Sequence, residues 1–398
     1  MNIGIVTVWF ERGAAYVSRQ FEEILAEKHR VFIYARGGEM YAKGDPNWDH
    51  ANVTWGKRIN SPFVGTVIHK KDFMRWIARN NIEAVLFNEQ HWFQPILWCK
   101  EMGIKTIAYI DYYNERTIPL FDAYDALICN TKRHSQAFEK HPNAFYIPWG
   151  TDTELFVPRN TELVNKYVVT FFHSAGMNGV RKGTDLFIRA LSLVRTDHRT
   201  IIHTQTDLKA QFPDLNDTIE ELENSGKLTV ITQTCTAPGL YHLGDVYVYP
   251  SRLEGIGLTI AESISCGLAC VVTDNPPMNE FVDGSIGDTI PVKRFYSRQD
   301  GYYWPQCDCD VTELAELLEK YASDKQLVLT QKKAARQYAL EHLSYKKNFR
   351  KLFDLFDTIQ YAAASESLER QINSFDSYGL KRLQKYYLRY GLYKLRRS

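Results

Sequence analysis

The sequence predicts an α/β fold built from two successive doubly wound halves, and three observations carry that prediction. Apolar strands alternate with helix-spaced segments over about the first 150 residues. The same alternation restarts near residue 167 and runs to about 322. Inside this second half, a buried strand, a glycine-containing turn and a helix follow one another between 245 and 266. With 398 residues, 44% hydrophobic and 24% charged, the chain has room for two ordinary globular domains. Its net charge of +1 gives no argument for a nucleic-acid partner.

The elements follow in order. Residues 2–9, NIGIVTVW, alternate and then run apolar, as a strand of a parallel sheet does. Residues 11–15 read as a short loop and 16–27 as a helix; the loop is not G-x-G-x-x-G, so a dinucleotide fingerprint is absent. Strands at 31–35, 84–87, 105–110, 126–129 and 144–147 and helices at 72–80 and 94–102 complete the first half. Between them, 37–65 is loop-rich and suits an acceptor-facing surface. The second half has strands at 167–174, 200–204, 228–232, 245–249 and 268–272. Its helices are 184–194, 215–225, 258–266 and 311–322. The expected domains are 1–160 and 161–345, then a closing helix in 346–362 and a tail over 363–398. Ligands of such folds sit at the carboxyl ends of strands, so a cleft between the halves is the expected site.

One stretch, PSRLEGIGLTIAESISCG at 250–267, concentrates the chemistry. Gly255 and Gly257 let the backbone pass close to a ligand, and the helix opening at Leu258 aims free N–H groups and its positive end at that ligand. Glu254 and Glu262, eight positions apart, bracket this anion site. The pattern predicts a nucleotide-sugar pocket, with pyrophosphate on the helix end and hydroxyl groups on the glutamates. A carboxylate near a helix start is also favourable without any ligand.

Four motifs in the right order carry a resemblance. These are IPWGTDTELFVP at 147–158, RKGTDL at 181–186, the E-x7-E pair Glu254 and Glu262, and Leu343-Ser344-Tyr345. Together, over about 2–360, they resemble the retaining GT-B glycosyltransferases of the family 4, or group 1, type. The resemblance implies two Rossmann-like domains, with the donor nucleotide held mainly by the second. It implies that Lys182 neutralises the donor pyrophosphate, aided by Arg181 and by the backbone of Gly255, Ile256, Gly257, Leu258 and Thr259. Glu262 would hold the ribose and Glu254 would touch the donor sugar, while Gly13 would let the first loop approach phosphate and acceptor. The chain departs from the family twice: Met177 follows Gly176 where many relatives carry arginine, and Asp111 stands where many carry histidine. Asp111, His91 and Glu89 are therefore the candidates for facing the sugar across from the donor.

The resemblance further implies transfer from a nucleotide-diphosphate sugar to a hydroxyl of a glycan or glycolipid acceptor, with the departing phosphate as base. Asp308-Cys309-Asp310 has the D-x-D spacing but is expected to lie far from the donor motifs, so no metal or other cofactor is expected. The other readings are an idle scaffold that binds a sugar nucleotide or glycan, and a phosphorylase or epimerase on the same fold. Aromatic density at Trp48, Trp55, Trp92 and Trp98 suits either sugar stacking or core packing. Seven cysteines without framework spacing, and a start lacking signal-peptide character, point to reduced thiols and a cytoplasmic setting. From Tyr378 to Ser398 there are seven basic residues and no acidic one, interleaved with tyrosine and leucine. Such a segment reads as a membrane-surface contact or as a helix packed on its own domain with a basic outer face.

Overall fold

The computed structural model describes residues 1–37, 40–59 and 66–377, and its chain divides into two compact units. Of the described residues, the first comprises those within 1–130, 134–147 and 349–377; the second comprises 131–133 and 148–348.

In the first unit, seven short runs of apolar residues form one parallel sheet. They are β1 (Asn2–Thr7), β2 (Arg30–Ala35), β3 (Val53–Trp55), β4 (Ala84–Asn88), β5 (Lys105–Tyr109), β6 (Ala126–Cys129) and β7 (Ala144–Tyr146). Their order is β3-β2-β1-β4-β5-β6-β7, which places β1 beside β4 at the point where the winding reverses. β4 is buried throughout, as a strand covered on both faces must be. The helix after β1 runs Gly13–Ala26, so Gly13 is its first residue rather than part of a preceding loop. The alternation of 53–55 is too short to stand out in a loop-rich sequence, which is why β3 escapes a sequence reading.

The second unit repeats the scheme with β8 (Val169–Gly176), β9 (His198–Thr204), β10 (Leu228–Thr232), β11 (Val246–Tyr249), β12 (Ala269–Thr273) and β13 (Gly287–Ile290). The order is β10-β9-β8-β11-β12-β13, all parallel, with β8 against β11 at the reversal. Beyond β13 a separate antiparallel hairpin forms from β14 (Val292–Tyr296) and β15 (Gln306–Cys309). Two helices follow, Val311–Ser323 and Lys325–Tyr338, where one was expected. Asp310 and Asp324 cap them through side-chain oxygens that accept from backbone N–H groups.

Two of the family-like motifs meet each other. Thr151 pairs with Ser344 in an isolated bridge, and a Cβ on Gly150 would lie 2.4 Å from the backbone nitrogen of Tyr345. The IPWGT and LSY segments are thus held together by a close backbone approach that needs glycine. The return over 346–362 consists of two short helices, Tyr345–Asn348 and Lys351–Thr358, rather than the one closing helix expected there. All seven cysteines are free thiols. Among the described residues, no helix is long and apolar enough to cross a membrane.

Candidate active site

The reversal of winding between β8 and β11 brings two loops together at the carboxyl ends of these strands. After β11 the chain turns through 250–257 into the helix Leu258–Ser265. Gly257 stands at its N-cap with a φ of 89° and no side chain caps the helix, so its first N–H groups stay open to a ligand. The helix stops at Gly267, φ 74°, where Gly267 and Leu268 N–H groups donate back to Ile264 and Ser263.

After β8 the loop 177–183 runs into the helix Thr184–Leu191, and Gly183 lets it pack against the first loop. Gly183 has a φ of 68°, and a Cβ there would fall 1.9 Å from the Pro250 carbonyl oxygen. Arg252 fastens the same junction, donating to both oxygens of Asp185 at 2.6 and 2.8 Å and to Asp308 at 2.6 Å. Asp308 therefore lies beside the 250–257 turn, not far from it as expected: β15 pairs in the hairpin so that Cys307 N–H reaches the Arg252 carbonyl at 3.0 Å. Both Asp308 oxygens are taken by arginines, Arg252 and Arg294, and Asp310 caps a helix.

Held in this way, Lys182 and Arg181 converge on Glu254. Glu254 Oε1 accepts from Lys182 Nζ at 2.7 Å, Ser251 Oγ at 2.6 Å and Tyr249 OH at 2.9 Å, and Oε2 accepts from Arg181 Nη1 at 3.1 Å. Tyr249 OH also contacts Lys182 Nζ. Burial works to raise the Glu254 carboxyl, but the Lys182 and Arg181 charges and the bonds from Lys182 and Ser251 outweigh it, bringing it to about 2. Burial lowers Lys182, against the pull of Glu254. The result is a fixed anion and two cations beside an open helix end. Arg133 was not legible as part of this group, because it lies more than a hundred residues earlier in the sequence. Its guanidinium donates to the carbonyl of Glu254 and, at 2.7 Å, to that of Pro276.

A cavity of about 240 Å³ opens next to the helix, lined among others by Phe156, Phe172, Gly176, Thr259 and Glu262. Tyr241 OH donates to Glu262 Oε2 at 2.5 Å, orienting that carboxylate in the wall. Burial raises Glu262, with the Tyr241 bond opposing. Glu254 and Glu262 are thus separated in environment as well as in position: one is saturated by cations, the other faces a cavity.

In the first unit, the carboxyl ends of β4 and β5 gather a second charged group. His91 Nε2 lies 3.0 Å from Asp111 Oδ2, and Arg12 pairs with Glu89 at 3.3 Å. Burial would lower His91, yet Asp111 outweighs it and the imidazole is raised; burial and Asp111 both raise Glu89. Glu89 has a φ of 53°, a strained value for a side-chain-bearing residue, and its carbonyl accepts from Arg36. Sequence reasoning found His91, Asp111 and Glu89 but not Arg12 and Arg36. Of the four tryptophans considered for stacking, Trp48, Trp92 and Trp98 are buried in ring–ring contacts, so they serve the core.

Comparison with known proteins agrees with this architecture. Residues 168–324 match the family model described as glycosyl transferases group 1. The lipopolysaccharide core biosynthesis mannosyltransferase LpsB of Rhizobium meliloti (strain 1021) is 27% identical over 228 residues, 54% of this chain. The aligned part spans 63% of that relative, less than two thirds of its length. Among solved structures, Anabaena HepE in complex with UDP matches with a TM-score of 0.68 at 14% identity, over 90% of this chain and 99% of that one. Sucrose-phosphate synthase of Thermosynechococcus elongatus matches at 0.67 and 14%, over 90% and 98%. The pneumococcal O-GlcNAc transferase GtfA with UDP and GlcNAc matches at 0.65 and 12%, over 90% and 99%. The two doubly wound parallel sheets and the likeness to these solved structures show a GT-B fold, and residues 168–324 of the second unit are similar to the glycosyl transferases of group 1.

Proposed function

We propose that the protein transfers a sugar, with retention of configuration, from a nucleotide-diphosphate sugar to a hydroxyl of a glycan or glycolipid. The observation that carries this reading is the convergence of Lys182 and Arg181 on Glu254 beside the uncapped start of Leu258–Ser265, with Glu262 in the wall of the adjoining cavity. The pyrophosphate sits on the helix end and Lys182, the nucleoside in the cavity with its ribose on Glu262, and the sugar by Glu254. In the reaction the bond between the sugar's anomeric carbon and the phosphate oxygen breaks, and its electron pair leaves with the nucleoside diphosphate. The acceptor oxygen bonds to the same face, and its proton passes to the departing phosphate. Charge growing on that phosphate is stabilised by Lys182, Arg181 and the helix end.

No metal takes part in this scheme, in which Lys182, Arg181 and the helix end supply the positive charge. The carboxylates of the D-x-D-like segment are engaged with arginines and a helix terminus. UDP-, GDP- and other nucleotide sugars offered in a thermal-shift panel identify the donor, because a ligand at 100 times its Kd adds about 2.7 kcal/mol. With that donor, Lys182→Ala is expected to lower kcat by about 100- to 1,000-fold, the scale of losing one transition-state donor. Full activity in Lys182→Ala overturns the site, and loss of wild-type activity in EDTA overturns metal independence. Donor binding without transfer or slow hydrolysis would favour the idle scaffold.

A further inference from the structure

The hairpin of β14 and β15 is an addition to the second unit that its sheet does not require. Among the described residues its two strands form a sheet only with each other, and β14 is largely exposed. Its tip nevertheless carries three consecutive aromatic residues, Tyr302, Tyr303 and Trp304. Tyr302 is buried, Trp304 is half-buried, and Tyr303 is 39% exposed. Tyr303 and Trp304 meet edge to face at 5.1 Å, which leaves their faces at right angles like two sides of a shelf. Arg133, buried at 3% exposure, ties the shelf to the reaction site: its guanidinium lies 5.5 Å from the Trp304 ring centre while it donates to the Glu254 carbonyl. Arg298, over Tyr302 at 5.3 Å, pairs with Asp300 and puts charged hydrogen-bonding groups on the rim.

We propose that Tyr303 and Trp304 form a saccharide subsite that holds a pyranose ring of the acceptor. The inference rests on the glycosyltransferase reading above. A pyranose presents a flat face of weakly positive C–H groups, which packs on the negative face of an aromatic ring, and an edge of hydroxyls suited to charged neighbours. Arg133 links the Glu254 backbone carbonyl to the Trp304 ring, so a sugar ring on the shelf lies within one side chain's reach of the loop that carries Glu254. Burial of aromatic surface in a core would explain Tyr302, but not two rings displayed on a hairpin tip.

Saturation-transfer NMR with the methyl glycosides of glucose, galactose, mannose and N-acetylglucosamine, in the presence of UDP or GDP, tests this on the full chain. The wild type is expected to saturate the ring protons of at least one glycoside. Trp304→Ala and Tyr303→Ala should weaken that binding about tenfold, and Trp304→Phe should restore most of it. Nucleotide-induced thermal shifts should stay as in the wild type. No glycoside engaged by the wild type, or equal binding by the alanine variants, overturns the subsite while leaving the nucleotide reading intact. Failure of every nucleotide to shift the wild type overturns the reading and the subsite with it.

Discussion

Glu254 is the residue on which the site's electrostatics turn. Its carboxyl is drawn from the ordinary 4.5 to about 2, although burial, the largest influence, acts the other way. A folded-state value below the unfolded one means that ionised Glu254 stabilises the fold above about pH 4.5, and that this contribution fades as the pH falls through 2. The gap corresponds to about 3 kcal/mol. Glu254→Gln keeps the shape but removes the charge, leaving Lys182 buried without its anion. Acid titrations followed by circular dichroism should therefore show the variant several kcal/mol less stable at pH 7, with the difference from wild type shrinking between pH 4.5 and 2. A difference that does not change with pH would mean that Lys182 and Arg181 do not hold that carboxyl.

Among the elements, the two strand-to-helix junctions of the second unit separate glycines the fold needs from one it does not. Gly183 combines a φ of 68° with a Cβ position blocked by the Pro250 carbonyl. Gly183→Ala should thus cost at least about 1–3 kcal/mol from the backbone alone and pull Lys182 from Glu254. Gly255 has neither constraint: a Cβ there meets nothing within 4 Å. Gly255→Ala should melt within a degree or two of the wild type yet bind the nucleotide sugar more weakly, because the added methyl occupies the ligand's approach. Paired melting and titration experiments check both, and a Gly255→Ala protein with unchanged affinity would remove that residue from the site. This contrast also marks how far the sequence is readable. Glycines, glutamates and the lysine of a loop–helix junction announce themselves, since local geometry dictates them. Arg133, Tyr249 and the Tyr303–Trp304 shelf do not, because their roles arise from tertiary contacts between segments that carry no shared pattern. Asp308 shows the converse error: judged by sequence distance it stood apart, whereas hairpin pairing returns it to Arg252.

At the scale of the whole molecule, the described residues after 348 return to the unit that holds the first strand. Tyr361 OH donates to the Lys100 carbonyl at 2.9 Å, and Ala362 N–H donates to Asp125, itself paired with buried Lys100 at 2.6 Å. A helix over 366–377 then docks through fully buried Ile372 and through Asp376, whose carboxylate accepts from Phe93 N–H at 3.1 Å. That contact supplies a cap to the helix Gln94–Glu101, whose own N-cap residue offers none. The basic segment Tyr378–Ser398 lies outside the described residues, but what precedes it is built into the domain. This decides how its membrane role must be tested: removing 366–398 would uncap a helix and expose the apolar surface that Ile372 covers, so lost binding would report a damaged domain. A chain ending at Ser377 leaves those contacts in place. If the seven cations contact a membrane surface, each contributes about 1 kcal/mol near an anionic leaflet. The full chain should then sediment with vesicles containing anionic lipid, less so as salt rises, and not with neutral vesicles. The chain ending at Ser377 should melt normally and stay in the supernatant; equal sedimentation of the two chains would show that the segment is not the anchor.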